Sequence, residues 1–368
     1  CNLKLGVKFW IQCRVAGFGC DFELKFLEFI IIFAPQLHKT INIQRMPTIS
    51  QRGIDMPASP IRKLVPLANR AKAKGTVVYH LNIGQPDLAT PEVALRAAHH
   101  LDREVLEYSP SEGILSFRKK LVEYYHKFNI DVCTDDIIIT TGGSEAVFFS
   151  FMACLDPGDE IIVPEPAYAN YMAFAISCGA VIKTISSTID EGFALPSVEK
   201  FEALITPRTK AILICNPNNP TGHAVPKHQM LHIAERCQKT GTWLILDECF
   251  CDLLDHPEAY SVVPEAEHFP GLFILRAFTK TYAMAGLRLG YGICADRGLL
   301  RRLSAGRQPW SISVPAQEAG CAALRESVYL NEARELLKAG RVYLTRELRR
   351  MGFLVYDSDI NFILFFYG

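Results

Sequence analysis

The sequence lacks a surplus of either charge: 39 Lys and Arg face 39 Asp and Glu. A surface that binds nucleic acid or an anionic membrane needs an excess of basic side chains, so the expected partner is a small molecule. A long apolar run is missing too. The stretch Phe26 to Ala34 is interrupted by Glu28 and is too short to span a bilayer. Asp21, Glu23 and Lys25 precede it, unlike the basic flank of a signal peptide. The 12 cysteines form no Cys-x-x-Cys pair, and several, such as Cys215 and Cys294, lie inside apolar strand segments. That usage suits reduced thiols in a cytoplasmic protein. Cys249 and Cys251 flank no histidine at ligand spacing, so no metal is expected. Nor does a G-x-G-x-x-G follow a strand with an acid about twenty residues on, which argues against a nicotinamide-dependent dehydrogenase.

What is present suits a large domain with a smaller one beside it. At 368 residues and 49% hydrophobic content the chain can bury one large core and a smaller one. Residues 1–45 differ in character from the rest and read as an extension outside the fold, with Met46 resembling a natural start. Residues 46–90 read as an arm and part of a small domain, with a helix over Ser59 to Lys74 and a strand over Val77 to Ile83. From 91 to 300, apolar strands alternate with helices of about a dozen residues, which predicts a mostly parallel α/β sheet covered on both faces. Strands are expected near 137–141, 160–163, 181–185, 210–215, 243–247, 272–278 and 289–294. Residues 301–368 read as the remaining small domain, helical to Met351 and broken at Gln308-Pro309-Trp310, then two short strands. The second strand runs to Phe366, and this ending reads as an incomplete small domain.

Five motifs carry candidate chemistry, and each falls where a strand ends, the edge at which open α/β sheets bind ligands. Lys280, in Phe278-Thr279-Lys280-Thr281, leaves a buried strand for a crowded turn. Desolvation there lowers an amine's pKa and suits a Schiff-base lysine. Arg288, eight residues on, offers a planar fork to a phosphate. A core-edge lysine and a surface arginine explain that stretch alone equally well. Gly142-Gly143-Ser144-Glu145 opens a helix whose amides and dipole can hold a phosphate, although a tight strand–helix turn also uses two glycines. Tyr168 can stack on a flat heterocycle or pack in the core. In Asn216-Pro217-Asn218-Asn219-Pro220-Thr221-Gly222 the side-chain amides can bond a ring hydroxyl, or the segment is a plain turn. Asp247, closing Trp243 to Leu246, needs a cationic partner: either a protonated pyridine nitrogen or a structural arginine.

Taken together, these blocks describe a pyridoxal phosphate site. In their order and spacing, P-x-x-Y, N-P-x-N-P-T-G, D-E and T-K-x-x-x-x-x-G-x-R-x-G resemble the fold type I, class I/II aminotransferases over about Met46 to Phe366. The resemblance implies a large domain with a seven-stranded, mostly parallel sheet, and pyridoxal 5'-phosphate as cofactor. It implies catalytic roles for Lys280, Asp247 and Tyr168: Lys280 holds the cofactor as a Schiff base and moves the substrate proton, Asp247 pairs with the pyridine nitrogen, and Tyr168 stacks on the ring. Asn219 would contact the ring oxygen. Gly143, Ser144, Thr279 and Arg288, with Glu145 in the same turn, would form the phosphate site. Tyr108 would reach the phosphate of a neighbouring subunit, making a homodimer with shared sites. Gly84 would lie in the loop that covers the substrate, which Asn219 also faces. The substrates would be an amino acid and a 2-oxo acid.

Three departures from the family stand out. Phe250 replaces a frequent tyrosine and Ala277 a frequent serine. The substrate-carboxylate arginine is expected beyond Gly368. Asn82 to Asp87 and Tyr168 to Tyr171 look like aspartate-type aminotransferases, whereas Leu275 to Lys280 and Arg307 to Ser311 look like histidinol-phosphate aminotransferase and threonine-phosphate decarboxylase. An amino-acid aminotransferase is the expectation. The decarboxylase, and an inactive relative used as a binding domain, are the alternatives.

Overall fold

The computed structural model describes residues 48–57, 59, 62–81 and 83–366. The expected N-terminal extension, 1–45, lies outside them, as does part of the start of the helix expected over 59–74. What is described of that helix is a 3-10 turn, Arg62–Leu64, leading into Val65–Ala73.

Seven strands form one sheet: β1 (Ile137–Thr140), β2 (Glu160–Glu165), β3 (Val181–Ser186), β4 (Thr209–Cys215), β5 (Trp243–Asp247), β6 (Leu272–Ala277) and β7 (Gly290–Ile293), in the order β1-β7-β6-β5-β4-β2-β3. The pairs from β6 to β3 are parallel, and β7 runs antiparallel to both of its neighbours. Side chains alternate between two cores, because successive residues of a strand point to opposite faces. Leu244 and Leu246 join one cluster with Ile212, Ile214 and Phe117, while Ile245 joins the other with Leu213, Phe151 and Phe273. Each of the three β5 side chains is at most 1% exposed, and each contributes about 1.5–3 kcal/mol by burial. The near-continuous apolar strands follow from this two-sided covering.

Helices Leu115–His126 and Lys227–Thr240 cover the first face, and Gly143–Cys154, Asn170–Cys178 and Arg297–Gly306 the second. Helix Ser327–Arg350 is tied back through Arg334 Nε, which donates to Asp252 O (2.8 Å), and Arg341, which bonds Asp255 and the Asp359 carbonyl. Beyond it, β8 (Leu354–Val355) and β9 (Phe365–Phe366) make a two-residue antiparallel ribbon, shorter than the strands expected there.

One expected strand does not form. The described residues of Val77–Ile83 pair with nothing, and Val77, Tyr79 and Leu81 are 72%, 83% and 91% exposed. Their alternation satisfies the strand pattern, yet a strand needs a neighbouring ladder, and none of the described strands offers one. The helical region 297–350 also breaks a second time, at 324–326.

Candidate active site

The parallel strands β2, β4, β5 and β6 end on one edge, which carries Tyr168, Asn219, Asp247 and Lys280 respectively. Register explains why β7 matters: Gly290 pairs with both Ala277 and Thr140, so the antiparallel strand begins where β6 and β1 finish. Arg288, two residues before Gly290, is thereby delivered to the edge that also holds Gly142 and Lys280.

Gly142 caps the Gly143–Cys154 helix with φ +79. A Cβ on it would stand 2.8 Å from Arg288 Nη2, so the guanidinium lies against the helix start. Gly143 is confined in another way, since a Cβ there would meet Cys249 Sγ at 2.7 Å. No side chain caps this helix. Its first-turn amides, which have no partner within the helix, therefore face a niche bordered by a guanidinium. Arg288 itself has φ +56, a left-handed conformation that aims it into this niche. Ser144 and Thr279 border the same edge, both partly buried. Glu145 is engaged internally: its Oε2 accepts from the Thr141 amide (2.6 Å) and from Arg307 Nη2 (3.0 Å). Its carboxylate therefore braces the turn.

Lys280 occupies the single helical turn Phe278–Thr281 after β6. Burial lowers the pKa of its amine, Cys249 opposes that shift, and the positive charge of Arg288 adds to it. Nζ donates to the carbonyl of Gly84, which places the expected substrate-covering loop over the lysine. Phe250, where a tyrosine is frequent in the family, is buried, with Lys280 Nζ 5.9 Å from its ring centroid and the ring of Phe362 edge-on at 5.0 Å. Ala277 is buried at the end of β6.

Asp247 and Glu248 receive opposite treatment. Glu248 is paired with Arg276 and accepts further bonds from Ser261 Oγ and the Val262 amide, both at 2.9 Å. The structural arginine thus belongs to Glu248. Asp247 accepts from Tyr171 OH (2.7 Å) and the Cys249 amide (3.0 Å), and no cation among the described residues pairs with it. Burial raises its pKa, and the bonds from Cys249 and Tyr171 only partly oppose the shift. A buried carboxylate without a cation is costly unless something supplies one.

Tyr168 lies past the end of β2, edge-on to Tyr171 at 5.4 Å, and its hydroxyl accepts from Asn170 Nδ2 (2.6 Å). Asn216 is consumed by two bonds to the Val225 backbone, and Asn218 holds Thr221 and Pro166. The Asn219 side chain makes no hydrogen bond to the described residues, so of the three amides it is the one left for a ligand. Tyr108 stands apart, 79% exposed and stacked on Trp310.

Sequence reasoning missed Tyr171, Arg276 and Arg307. Tyr171 had a signal, since it follows Tyr168 by three residues at a helix start and so shares its side. Arg276 and Arg307 are recognisable only through the distant carboxylates they meet. Among the described residues no group of three or more metal-ligating side chains occurs, and no helix is long and apolar enough to cross a membrane.

The family model for aminotransferase class I and II matches residues 76–367. The aspartate aminotransferase of Thermotoga maritima is 31% identical over 317 residues, covering 83% of this chain and 82% of the relative. A histidinol-phosphate aminotransferase of Carboxydothermus hydrogenoformans is 30% identical over 279 residues, 75% of this chain and 73% of that one. Among solved structures, aspartate aminotransferase from Thermus thermophilus with maleate aligns at a TM-score of 0.80 with 29% identity, covering 87% of this chain and 85% of that one. The chain belongs to the class I and II aminotransferases and has their fold type I architecture. Its reaction class is transamination.

Proposed function

We propose that this chain transfers an amino group between an L-amino acid and a 2-oxo acid, using pyridoxal 5'-phosphate held by the residues above, and that dicarboxylic amino acids are donors. The relatives named for aspartate and prephenate support that donor class. The observation that carries the reading is Asp247: a buried carboxylate, hydrogen-bonded on both oxygens, that lacks a cation among the described residues. The residues fit the cofactor. The uncapped helix start at Gly142, with the Arg288 guanidinium against it, suits a phosphate, and the Lys280 amine has a lowered pKa, as a nucleophile requires.

When bound, the cofactor supplies an electron sink for the substrate α-carbon. The protein's part is positional and protonic. Asp247 holds a proton-bearing ring nitrogen, and its hydrogen bonds from Tyr171 and Cys249 keep the carboxylate oriented. Tyr168 covers one face of a flat ring. Asn219 donates to the ring oxygen alone, since Phe250 has no hydroxyl. The amides of Gly143 and Ser144, with Thr279 and Arg288, neutralise the phosphate. Lys280, whose amine pKa is lowered by burial, would carry the substrate α-proton and return it one atom away. The Gly84 loop excludes water from the amine. Tyr108, with no hydrogen-bond partner for its hydroxyl among the described residues, is read as serving the site of a second subunit in a homodimer. The arrangement into a large domain (91–300) and a small domain (46–90 with 301–368) is part of the same reading.

The test is a visible spectrum of the purified protein with pyridoxal phosphate, followed by aspartate, glutamate, histidinol phosphate and threonine phosphate in turn. Conversion of the visible band to a near-ultraviolet one by aspartate or glutamate is the expected result. Conversion by histidinol phosphate alone would move the donor class. Carbon dioxide release from threonine phosphate without conversion would overturn transamination in favour of decarboxylation.

A further inference from the structure

We propose that Trp310 is a positioning residue that presents Tyr108 to the cofactor site of a second copy of this chain; the inference rests on the reading of Tyr108 given above. Trp310 has φ +55, a conformation that a bulky L-residue adopts only when its surroundings hold it there. Its side chain is 55% exposed, so burial in the core does not explain the strain. What the conformation achieves is a stack: the indole lies on the Tyr108 ring with centroids 4.7 Å apart and planes inclined by 23°.

The surroundings that hold it are specific. Arg307, 3% exposed, donates from Nη1 to Ile139 O (2.6 Å) and from Nη2 to Glu145 (3.0 Å) and Ser311 Oγ (3.1 Å). Ser109 Oγ donates to Ile312 O (2.6 Å), and the Trp310 amide approaches Ser111 Oγ at 3.4 Å. The turn carrying Trp310 and the loop carrying Tyr108 are therefore stitched together on both sides of the stack. Through Glu145 the same arginine is anchored in the first turn of the helix that forms the phosphate niche.

Stacking limits the rotamers of Tyr108 without using its hydroxyl, which donates to nothing among the described residues. A tyrosine that must meet a phosphate in another subunit loses less freedom on doing so if its ring is already fixed. Trp310 supplies that fixation.

The experiment titrates pyridoxal phosphate into the protein and reads the absorbance of the lysine-bound cofactor, with light scattering to follow the oligomer. Tyr108→Phe is expected to weaken binding about tenfold, the value of one hydrogen bond to a charged group. Trp310→Ala and Trp310→Leu should weaken it similarly, Trp310→Phe should retain most of the affinity, and Tyr108→Phe with Trp310→Ala together should be no worse than either alone. Mixed dimers of a Trp310→Ala chain with a Lys280→Ala chain separate positioning across the interface from local damage. Their one remaining lysine receives an intact Tyr108 from the other chain, so wild-type affinity should return. A defect that persists in the mixed dimer, or wild-type affinity in Trp310→Leu when Tyr108→Phe is weakened, would overturn the inference. Wild-type affinity in Tyr108→Phe would instead remove the reading of Tyr108 on which it rests.

Discussion

Asp247 and Glu248 are neighbours in the chain, both are buried, and they lead opposite lives. Glu248 sits in a closed network with Arg276, Ser261 and the Val262 amide, and Arg276 also holds Asp252. Asp247, at the very end of β5, has two neutral donors and no cation among the described residues. The first arrangement is self-sufficient, and its purpose is exhausted by folding. The second leaves a carboxylate with no cationic partner among the described residues, and the proposed ring-nitrogen role rests on that difference. Burial of a carboxylate does not by itself distinguish structure from chemistry. The identity of its partners does.

The comparison can be broken most severely at the lysine that completes the open site. Lys280→Ala is expected to cut turnover by at least about 10⁴-fold, because nucleophile and proton carrier disappear together. A borohydride-reducible bond between protein and cofactor that survives in this variant would reject the assignment.

Exchanging the two carboxylates' fates comes next. Glu248→Ala leaves Arg276 buried and short of a partner, so it should cost about 3–5 kcal/mol in denaturant unfolding. Asp247→Asn should do the reverse, keeping or raising the stability of the cofactor-free protein while lowering kcat by about 10²-fold or more. The sign follows from linkage. A carboxyl whose pKa is raised on folding binds more protons in the folded state, so its contribution falls as pH rises above its unfolded value. At neutral pH Asp247 therefore opposes folding of the cofactor-free protein, and removing its charge relieves that. A strongly destabilised Asp247→Asn would show that the carboxylate has a structural role after all.

A gentler probe removes one donor. Tyr171→Phe deletes the 2.7 Å bond to Asp247, which contributes about 1.5–3 kcal/mol as a hydrogen bond to a charged group. Because that bond lowers the Asp247 pKa, its loss should raise it further, shifting the acidic limb of the kcat/KM profile to higher pH with about a tenfold loss in kcat. An unmoved acidic limb would separate Tyr171 from the chemistry.

The smallest effect lies at the opposite edge of the sheet, where Glu160 at the start of β2 is satisfied by Thr206, Thr209, Lys183 and Arg208. The hydrogen bond from Thr206, with those from Lys183, Thr209 and Arg208, holds its pKa at about 2. A depressed carboxyl stabilises above its unfolded pKa and loses that contribution as pH falls toward 2. Glu160→Gln should therefore flatten the acid-unfolding curve between about pH 4.5 and 2, and leave kcat unchanged. An unaltered acid limb would place the contribution elsewhere.

Much of this was legible in one dimension. Strand β5 falls on its predicted bounds, and the other sheet strands within a residue or two, because two-sided burial imposes continuous apolar runs bounded by turns. Val77–Ile83 misled because alternation reports a side-chain preference and says nothing about an available ladder. Arg276 and Arg307 were invisible for the same reason: an arginine in a strand or after a helix has no local signature of the carboxylate it will meet.

The sequence alone determined which residue types stand at the ends of which strands. Lys280, Asp247, Asn219, Tyr168 and the Gly142 turn are local events, each written in a few consecutive residues, and their order carries the family resemblance. Tertiary structure decided how they are used. The antiparallel entry of β7 brings Arg288 against Gly142, and Arg276 goes to Glu248 and leaves Asp247 open. Asn216 and Asn218 are spent on the loop while Asn219 is not. These outcomes depend on contacts between residues tens to hundreds of positions apart, where register and burial choose among partners that local composition leaves equivalent.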